Sequence, residues 1–246
     1  MDIRRVLKSL TVDSRKMLRM FRSLDREAIA AHVIRGRGIE IGGLHNPLRV
    51  PQGVVVRYVD RMSVEDLRLH YPELAAKALT SVDIVDDGET LSTLPDGSED
   101  FIIANHFLEH CEDPLRALLA HQRVVRPGGV MFLCVPDMRF TFDQERDLTG
   151  YDHILRDHRE GPLWSRRAHV LEWVRYVEHI DDPAAQERRT DQLLAEAYSI
   201  HYHVWTFETL VAMLLRARED VGLAVDFESF LLTDGEVIVV LRRRTG

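Results

Sequence analysis

The sequence predicts a doubly wound α/β fold, with a mostly parallel seven-stranded sheet, a C-terminal antiparallel hairpin and a helical insertion. Three observations lead to this class. Short β-branched runs alternate with helical stretches from residue 38 onward. The alternation breaks off between residues 137 and 200, and the turn sequence Thr233-Asp234-Gly235-Glu236 joins the last two runs. With 246 residues, 45% of them hydrophobic, the chain can bury one substantial core.

The first five predicted strands are apolar on both faces, as buried parallel strands are. They cover residues 38–42, 54–60, 82–85, 101–105 and 130–136. Ser63 and Asp113-Pro114 are typical helix starts, and they predict helices between strands two and three and between strands four and five. A helix over 206–216 and strands over 223–231 and 237–242 follow at the end of the chain.

Three regions follow from this order. Residues 1–35 form an N-terminal helical segment whose first 26 residues are rich in Arg and Lys. Residues 36–136 and 201–246 form the core domain. Residues 137–200, with helical spacing over 168–180 and 191–198, form an insertion that we expect to lie over the carboxyl ends of the strands, where open α/β sheets bind ligands.

The composition excludes several classes of function. A net charge of −8 disfavours nucleic acid as a partner, because binding to phosphates depends on Lys and Arg. No run approaches the roughly 20 apolar residues of a membrane span, and no apolar run of a signal peptide is present, so we expect a cytoplasmic protein. We expect Cys111 and Cys134 to be buried thiols rather than a disulfide or a metal site.

A glycine pair follows the first predicted strand. Gly42 and Gly43 let the backbone approach a ligand closely, and the carboxylate of Asp60 follows about 20 residues later, the usual distance to a ribose partner. Only 11 residues separate Gly42 from Val54, and two of them are prolines, so no full helix fits there. A dinucleotide, whose pyrophosphate needs a helix N-terminus, is therefore disfavoured.

Five pieces in this order resemble the small-molecule type of class I (Rossmann-like) S-adenosylmethionine-dependent methyltransferases, over residues 36–136 and 201–242. They are Gly38-Ile39-Glu40-Ile41-Gly42-Gly43, Asp60, Asp86-Asp87, Asn105-His106-Phe107-Leu108-Glu109-His110 and Arg126-Pro127-Gly128-Gly129. The chain departs from the family at Leu44, where the pattern has another glycine, and His45 or Asn46 would supply polar groups instead.

The resemblance implies S-adenosylmethionine as the cofactor. Glu40 would hold its amino group or organise the loop, Asp60 would accept from the ribose hydroxyls, and Asp86 or Asp87 would accept from the adenine amino group. The complete set of expected cofactor residues is Glu40, Gly42, Gly43, Leu44, His45, Asp60, Arg61, Asp86, Asp87, Asn105 and His106.

The candidate acceptor site centres on His201-Tyr202-His203-Val204-Trp205. Two histidines at i, i+2 face the same way on an extended segment, and a histidine can take the proton from an acceptor hydroxyl. We assign His201, His203 and Asp137 as catalytic, and Arg139, Trp205 and His110 as substrate residues. A metal held by the histidine pair with Asp137 is the competing interpretation. The arginines that follow strand five suit an anionic or polyhydroxylated substrate: Arg139, Arg146, Arg156, Arg159, Arg166 and Arg167.

The function expected from these residues is methyl transfer from S-adenosylmethionine to a small-molecule or sugar hydroxyl, with histidine-assisted deprotonation. Three alternatives stay open at this point. They are N-methylation of a small molecule, a non-catalytic partner-binding subunit with the same fold, and an NAD-dependent oxidoreductase. We expect a small-molecule or carbohydrate acceptor, no resident metal and no nucleic acid, and a homodimer is compatible with the sequence.

Overall fold

The computed structural model describes residues 24–245. Most of the predicted N-terminal helical segment therefore lies outside the described residues. Within them, the strands are β1 (Arg37–Ile41), β2 (Val55–Asp60), β3 (Ile84–Val85), β4 (Glu99–Asn105), β5 (Val125–Pro136), β6 (Val225–Thr233) and β7 (Glu236–Arg243). The α-helices are α1 (Arg26–Val33), α2 (Val64–His70), α3 (Pro114–Val124), α4 (Tyr151–Glu160), α5 (Leu163–Tyr176), α6 (Pro183–Ala195) and α7 (Phe207–Asp220).

The seven strands form one sheet in the order β3-β2-β1-β4-β5-β7-β6. The five strands from β3 to β5 are parallel, whereas β7 runs antiparallel to both β5 and β6. The predicted doubly wound fold with its C-terminal hairpin is confirmed. Asp234 and Gly235 both have positive φ angles, 49° and 83°, which is the geometry of the two-residue turn that the sequence predicts.

Alternating side chains on the central strands enter two cores. One face of β5 buries Met131 and Leu133 against α3 and α7, and the other buries Val130 and Phe132 against α1 and Leu48. Cys134 lies in the second core and Cys111 in the first, both as buried free thiols, as predicted. The sheet is therefore covered on both faces, and open α/β sheets of this kind bind ligands at their strand ends.

The connection between β1 and β2 contains turns and no helix, as Pro47 and Pro51 predict. The insertion holds three helices, α4 to α6, where the sequence indicated two. The missed helix, α4, is strongly polar and buries only Ile154 and Asp157. It therefore has too few apolar residues for their spacing to predict a helix. The insertion has a small core of its own, formed by Val170, Val174, Leu193, Ile200 and Tyr202. No helix in residues 24–245 has the length and apolarity needed to cross a membrane.

Candidate active site

A cavity of about 570 Å³ lies where β1, β2 and β4 end, beneath the inserted helices. Its volume is in the range of small-molecule sites. The strand side is lined by Ile41, Gly42, Leu44, Asp60, Arg61, Asp87, Gly88, His106 and Phe107. The opposite side is lined by Phe142, Arg166, Val170, Trp173, Leu193, Leu194, Tyr198, Ser199, His201 and Tyr202. A ligand here would lie between the sheet and the insertion.

The glycine turn shapes one edge of the cavity. Gly42 has a φ of 65°, and its N–H donates to the carbonyl of Val59 at 2.9 Å. Leu44 also has a positive φ, 43°, and its carbonyl accepts from the N–H of Thr80 at 2.7 Å. This bond holds in place the residue that departs from the family pattern. Gly42 and Leu44 line the cavity, whereas Gly43 and His45 do not.

Glu40 lies under this turn and not in the cavity. Its side chain is buried and accepts from the N–H of Leu48, at 2.9 and 3.2 Å. Burial raises the pKa of this carboxyl to about 7, although the Leu48 bond and the charge of Arg26 act in the opposite direction. Of the two roles expected for Glu40, the contacts fit organisation of the loop.

Asp60 ends β2 and faces the cavity. Burial raises its pKa, and the N–H groups of Arg61 and Met62 partly offset this by donating to the carboxylate. Arg61 reaches across the cavity rim, donating to the hydroxyl of Tyr71 and, at 3.4 Å, to the carbonyl of Ala197. The carboxylate of Asp60 can therefore accept hydrogen bonds from a ligand, while the side chain of Arg61 lies across the rim of the cavity.

Only one of the two acids after β3 faces the cavity. Asp87 lines it. Asp86 is buried in a turn, where it accepts from the N–H of Thr93 at 2.8 Å, the hydroxyl of Thr93 at 2.7 Å and the hydroxyl of Ser92 at 3.2 Å. Burial alone would raise the pKa of Asp86, but these bonds bring it below its usual value. Asp87 is therefore the candidate for the adenine contact, and Asp86 is a structural residue.

After β4 the chain turns sharply at His106, whose φ is 48°. His106 lines the cavity, and its Nε2 lies 2.8 Å from a carboxylate oxygen of Glu236. Bonds with Glu109 and Glu236 raise the pKa of His106 to about 9, so it carries a positive charge at neutral pH. Asn105 precedes it but does not line the cavity, and its buried amide has no hydrogen-bond partner among the described residues.

On the insertion side, His201 lines the cavity and pairs with a buried acid. Its Nδ1 lies 2.7 Å from Oδ2 of Asp143, and Oδ1 of Asp143 accepts from Arg146 at 2.9 Å. Burial alone would raise the pKa of Asp143, but the bonds from His201 and Arg146 lower it, so the carboxylate is ionised. Because a carboxylate only accepts, Nδ1 is the donor in this bond, and in the neutral imidazole Nε2 carries the lone pair.

His110 lines the cavity beside His201, and the buried Glu109 lies next to both. One ligand atom from each of the three residues lies within 4.8 Å of the others. The Nδ1 of His110 lies 2.9 Å from the carbonyl of Ile200, to which it donates. Both carboxylate oxygens of Glu109 are buried and accept no hydrogen bond of good geometry among residues 24–245, and the contact with His106 is an ion pair of 3.5 Å between Nδ1 and Oε1.

Sequence comparison assigns chemistry to this framework. Residues 54–133 match a protein-family model described as a methyltransferase domain. This stretch runs from the start of β2 into β5, and it includes Asp60, Asp87 and His106 on the cavity wall. The chain is an S-adenosylmethionine-dependent methyltransferase. The match favours this enzyme over the oxidoreductase. No curated protein matches the sequence.

Solved structures resemble the methyltransferase in architecture at low sequence identity. A protein from Rhodobacter sphaeroides, provisionally named a zinc-dependent alcohol dehydrogenase, is 16% identical with a TM-score of 0.50. The alignment covers 91% of this chain and 90% of the Rhodobacter chain. A methyltransferase from Methanosarcina mazei is 17% identical with a TM-score of 0.46, over 87% and 96% of the two chains. One from Thermotoga maritima is 15% identical with a TM-score of 0.47, over 95% and 96%. At such identities the first likeness shows the fold alone.

The second predicted catalytic histidine lies elsewhere in the methyltransferase. His203 does not line the cavity; its side chain is fully buried between His153, His169 and Trp205. Burial is the main cause that lowers its pKa to about 3. The expectation that both histidines face the same way is wrong, because residues 201–204 belong to no regular strand and do not follow its alternation.

Asp137 and the two residues assigned to substrate near it also lie outside the cavity. Asp137 accepts from Arg139 at 2.6 and 2.9 Å and from the N–H of Phe207, so it anchors the start of α7. Arg139 is occupied by this pair and by Glu208. Trp205 is 1% exposed and packs in the core. These contacts give all three a structural role. Asp137 belongs to neither group of possible metal ligands among the described residues, which argues against a metal held by Asp137 and both histidines.

Of the other arginines proposed to meet substrate, one lines the cavity. Arg166 does so, paired with Glu112 at 2.7 and 2.9 Å. Arg146 is buried with Asp143 and Glu172, and Arg167 pairs with acids of α6.

The sequence interpretation missed the partner of His201. Asp143 lies 58 residues away, and no local spacing connects them. It also missed Trp173 and Tyr198, which line the cavity from the insertion. Glu109 was assigned to the family motif in preference to the metal-binding face that its position between His106 and His110 also suggests.

Proposed function

We propose that this methyltransferase transfers a methyl group to a hydroxyl of a small molecule or sugar, with His201 assisting the loss of the proton. The bond between His201 and Asp143 carries the proposal, because it occupies Nδ1 of a ring that lines the cavity and leaves Nε2 as the nitrogen that can take a proton. The same arrangement, a buried acid orienting an imidazole, is a recurrent way to hold a general base. An amine acceptor would need less help from such a base.

The cavity offers one side for each substrate. Gly42, Asp60, Asp87 and His106 come from the strand ends and would hold the cofactor, with Asp60 at the ribose and Asp87 at the adenine. His201 lies on the insertion side, with other aromatic and charged residues that can contact a polyhydroxylated acceptor: Phe142, Arg166, Trp173 and Tyr198. The methyl group would cross between the two sides by in-line displacement, which requires close alignment of donor and acceptor.

The ionised Asp143 also stabilises the imidazolium that forms when His201 takes the proton. Glu109 is a second negative charge near the same ring. Transfer of the methyl group removes the positive charge of the sulfonium, so the proton left on His201 balances the reaction. Release of the neutral thioether product and loss of that proton to water would complete the cycle.

One observation favours a second way to activate the hydroxyl. The carboxylate of Glu109 is buried and accepts no hydrogen bond among residues 24–245, and its charged neighbour is His106, whose Nδ1 lies 3.5 Å from Oε1. A buried charge is costly unless it is closely paired. A divalent cation held by Glu109, His110 and His201 would pair it, and both imidazoles already use Nδ1 for a second-shell bond. With three protein ligands such a site would leave a position for the acceptor oxygen.

The test is turnover of S-adenosylmethionine with paired acceptors that differ only in a hydroxyl or an amine. We expect the hydroxyl acceptor to be methylated, and His201→Ala to lower kcat by about 10² to 10⁴-fold, the range of a lost general base, without changing cofactor affinity. His32→Ala, an exposed histidine on α1, is the control and should match the wild type. Preference for the amine, or full activity of His201→Ala, would contradict the proposal.

Mn²⁺ added to the chelator-treated protein separates the two ways of activation. If His201 is the base, Mn²⁺ leaves kcat unchanged. If a cation activates the hydroxyl, Mn²⁺ raises kcat of the wild type but not of Glu109→Gln.

A further inference from the structure

A second cluster of histidine and aspartate lies within the insertion, away from the cavity. It contains His153 and Asp157 of α4, His169 of α5 and His203 of the segment that leads to α7. One ligand atom from each of the four lies within 4.8 Å of all the others. His153 and Asp157 are one helical turn apart and therefore share a face of α4. Three separate parts of the chain thus converge on one point.

The polar atoms in this cluster are poorly satisfied by the protein alone. Oδ1 of Asp157 accepts from Ser165 at 2.7 Å, whereas the buried Oδ2 makes no hydrogen bond of good geometry among residues 24–245, although Nε2 of His153 lies 3.2 Å from it. Nδ1 of His203 is also buried without a hydrogen-bond partner among these residues, and its Nε2 lies 3.4 Å from the carbonyl of Glu112. Asp157, His169 and His203 are all buried. A buried carboxylate oxygen is unfavourable unless it is well paired, and a cation between these groups would pair it.

We propose that His153, Asp157, His169 and His203 bind a zinc ion. Zinc takes four ligands at about 2.0–2.1 Å in a tetrahedron, which places ligand atoms on the order of 3.4 Å apart. Nε2 of His153 lies 2.9 Å from Nε2 of His169 and 3.2 Å from Oδ2 of Asp157, and Nε2 of His203 lies 3.8 Å from the same oxygen. Imidazole and carboxylate ligands in this number suit zinc better than Mg²⁺ or Ca²⁺.

The site is closed, because all four positions are filled by the protein. Its role is therefore structural. The ion would cross-link α4, α5 and residues 200–205. The small core of the insertion has five buried residues, so such a cross-link would add to its stability. Since His203 is two residues from His201, the same cross-link would fix the backbone that carries His201 to the cavity. His203 acts here as a positioning residue.

Metal analysis of the purified full chain tests the site. We expect about one zinc ion per chain in the wild type, and less than about a tenth of that in Asp157→Asn and in His169→Ala, because each removes a ligand. His158→Ala is the matched control, since His158 is also on α4 but pairs with Asp113 outside the cluster. Glu109→Gln should likewise keep its zinc.

A second measurement covers variants that fail to fold. Wild-type protein stripped by a chelator should melt at least about 5 °C lower than the untreated protein and recover on addition of Zn²⁺ alone. Substitution by Co²⁺ should give the visible absorption of a tetrahedral site. Three results would overturn the proposal. They are zinc retained by Asp157→Asn, zinc lost from Glu109→Gln, and a melting temperature that changes neither when the metal is removed nor when Zn²⁺ is added.

Discussion

Glu40 makes the stability of the methyltransferase depend on pH in an unusual direction. Its carboxyl is 1% exposed under the glycine turn, and burial raises its pKa from 4.5 to about 7. Because the native state binds this proton more tightly than the unfolded chain, the contribution of Glu40 is fully present below pH 4.5 and is lost as the pH rises to about 7. At about 1.4 kcal/mol per pKa unit the loss amounts to about 3 kcal/mol.

Glu40→Gln isolates this effect, because glutamine has the same shape, stays neutral and can still accept from the N–H of Leu48. In urea unfolding of the cofactor-free protein, the wild type should lose about 3 kcal/mol more than the variant between pH 5 and pH 8. The exposed Glu65→Gln on α2 is the control and should follow the wild type. Parallel wild-type and Glu40→Gln profiles over this range would refute the reasoning.

Three further substitutions test the cofactor site and the fold. Asp60→Asn should weaken S-adenosylmethionine binding about 10- to 100-fold in calorimetry, the value of a hydrogen bond to a charged group, and an unchanged Kd would exclude Asp60 as the ribose acid. Gly38→Ala should lower the free energy of unfolding by about 3 kcal/mol or more, because its Cβ would lie 2.2 Å from the carbonyl oxygen of Phe101. Gly150→Ala is the control in urea unfolding and should match the wild type, because no atom lies within 4 Å of the added Cβ. Thr206→Ala removes the capping box of α7 and should cost about 1 kcal/mol; no change would show that the cap is dispensable.

The sheet could be predicted from the sequence because each strand carries its own signal. Buried parallel strands read as apolar runs, and Pro47 and Pro51 are enough to exclude a helix between β1 and β2. Helix α4 carried no such signal, because its buried residues include the polar Asp157 and few apolar positions. The cluster that α4 contributes to needs His169 and His203, which come close to His153 and Asp157 only in the folded chain.

The cavity could be predicted on the strand side and only in part on the insertion side. Gly42, Asp60 and Asp87 follow strands, and parallel strands place their carboxyl ends together, so sequence order alone brings these residues to one edge. His201 could be named as a candidate, but its partner Asp143 could not. That contact depends on how the insertion folds back, and an i, i+2 rule cannot give side-chain directions on an irregular segment.

The position of β7 has a consequence for how the protein is made. β7 is the last strand in sequence, yet it lies between β5 and β6 in the sheet, and its Ile238 and Val240 complete the core that contains Phe132. During synthesis, residues 24–233 can be outside the ribosome while the edge of β5 is still unpaired. The nascent chain must keep this edge open, and protect it from other strands, until the hairpin emerges.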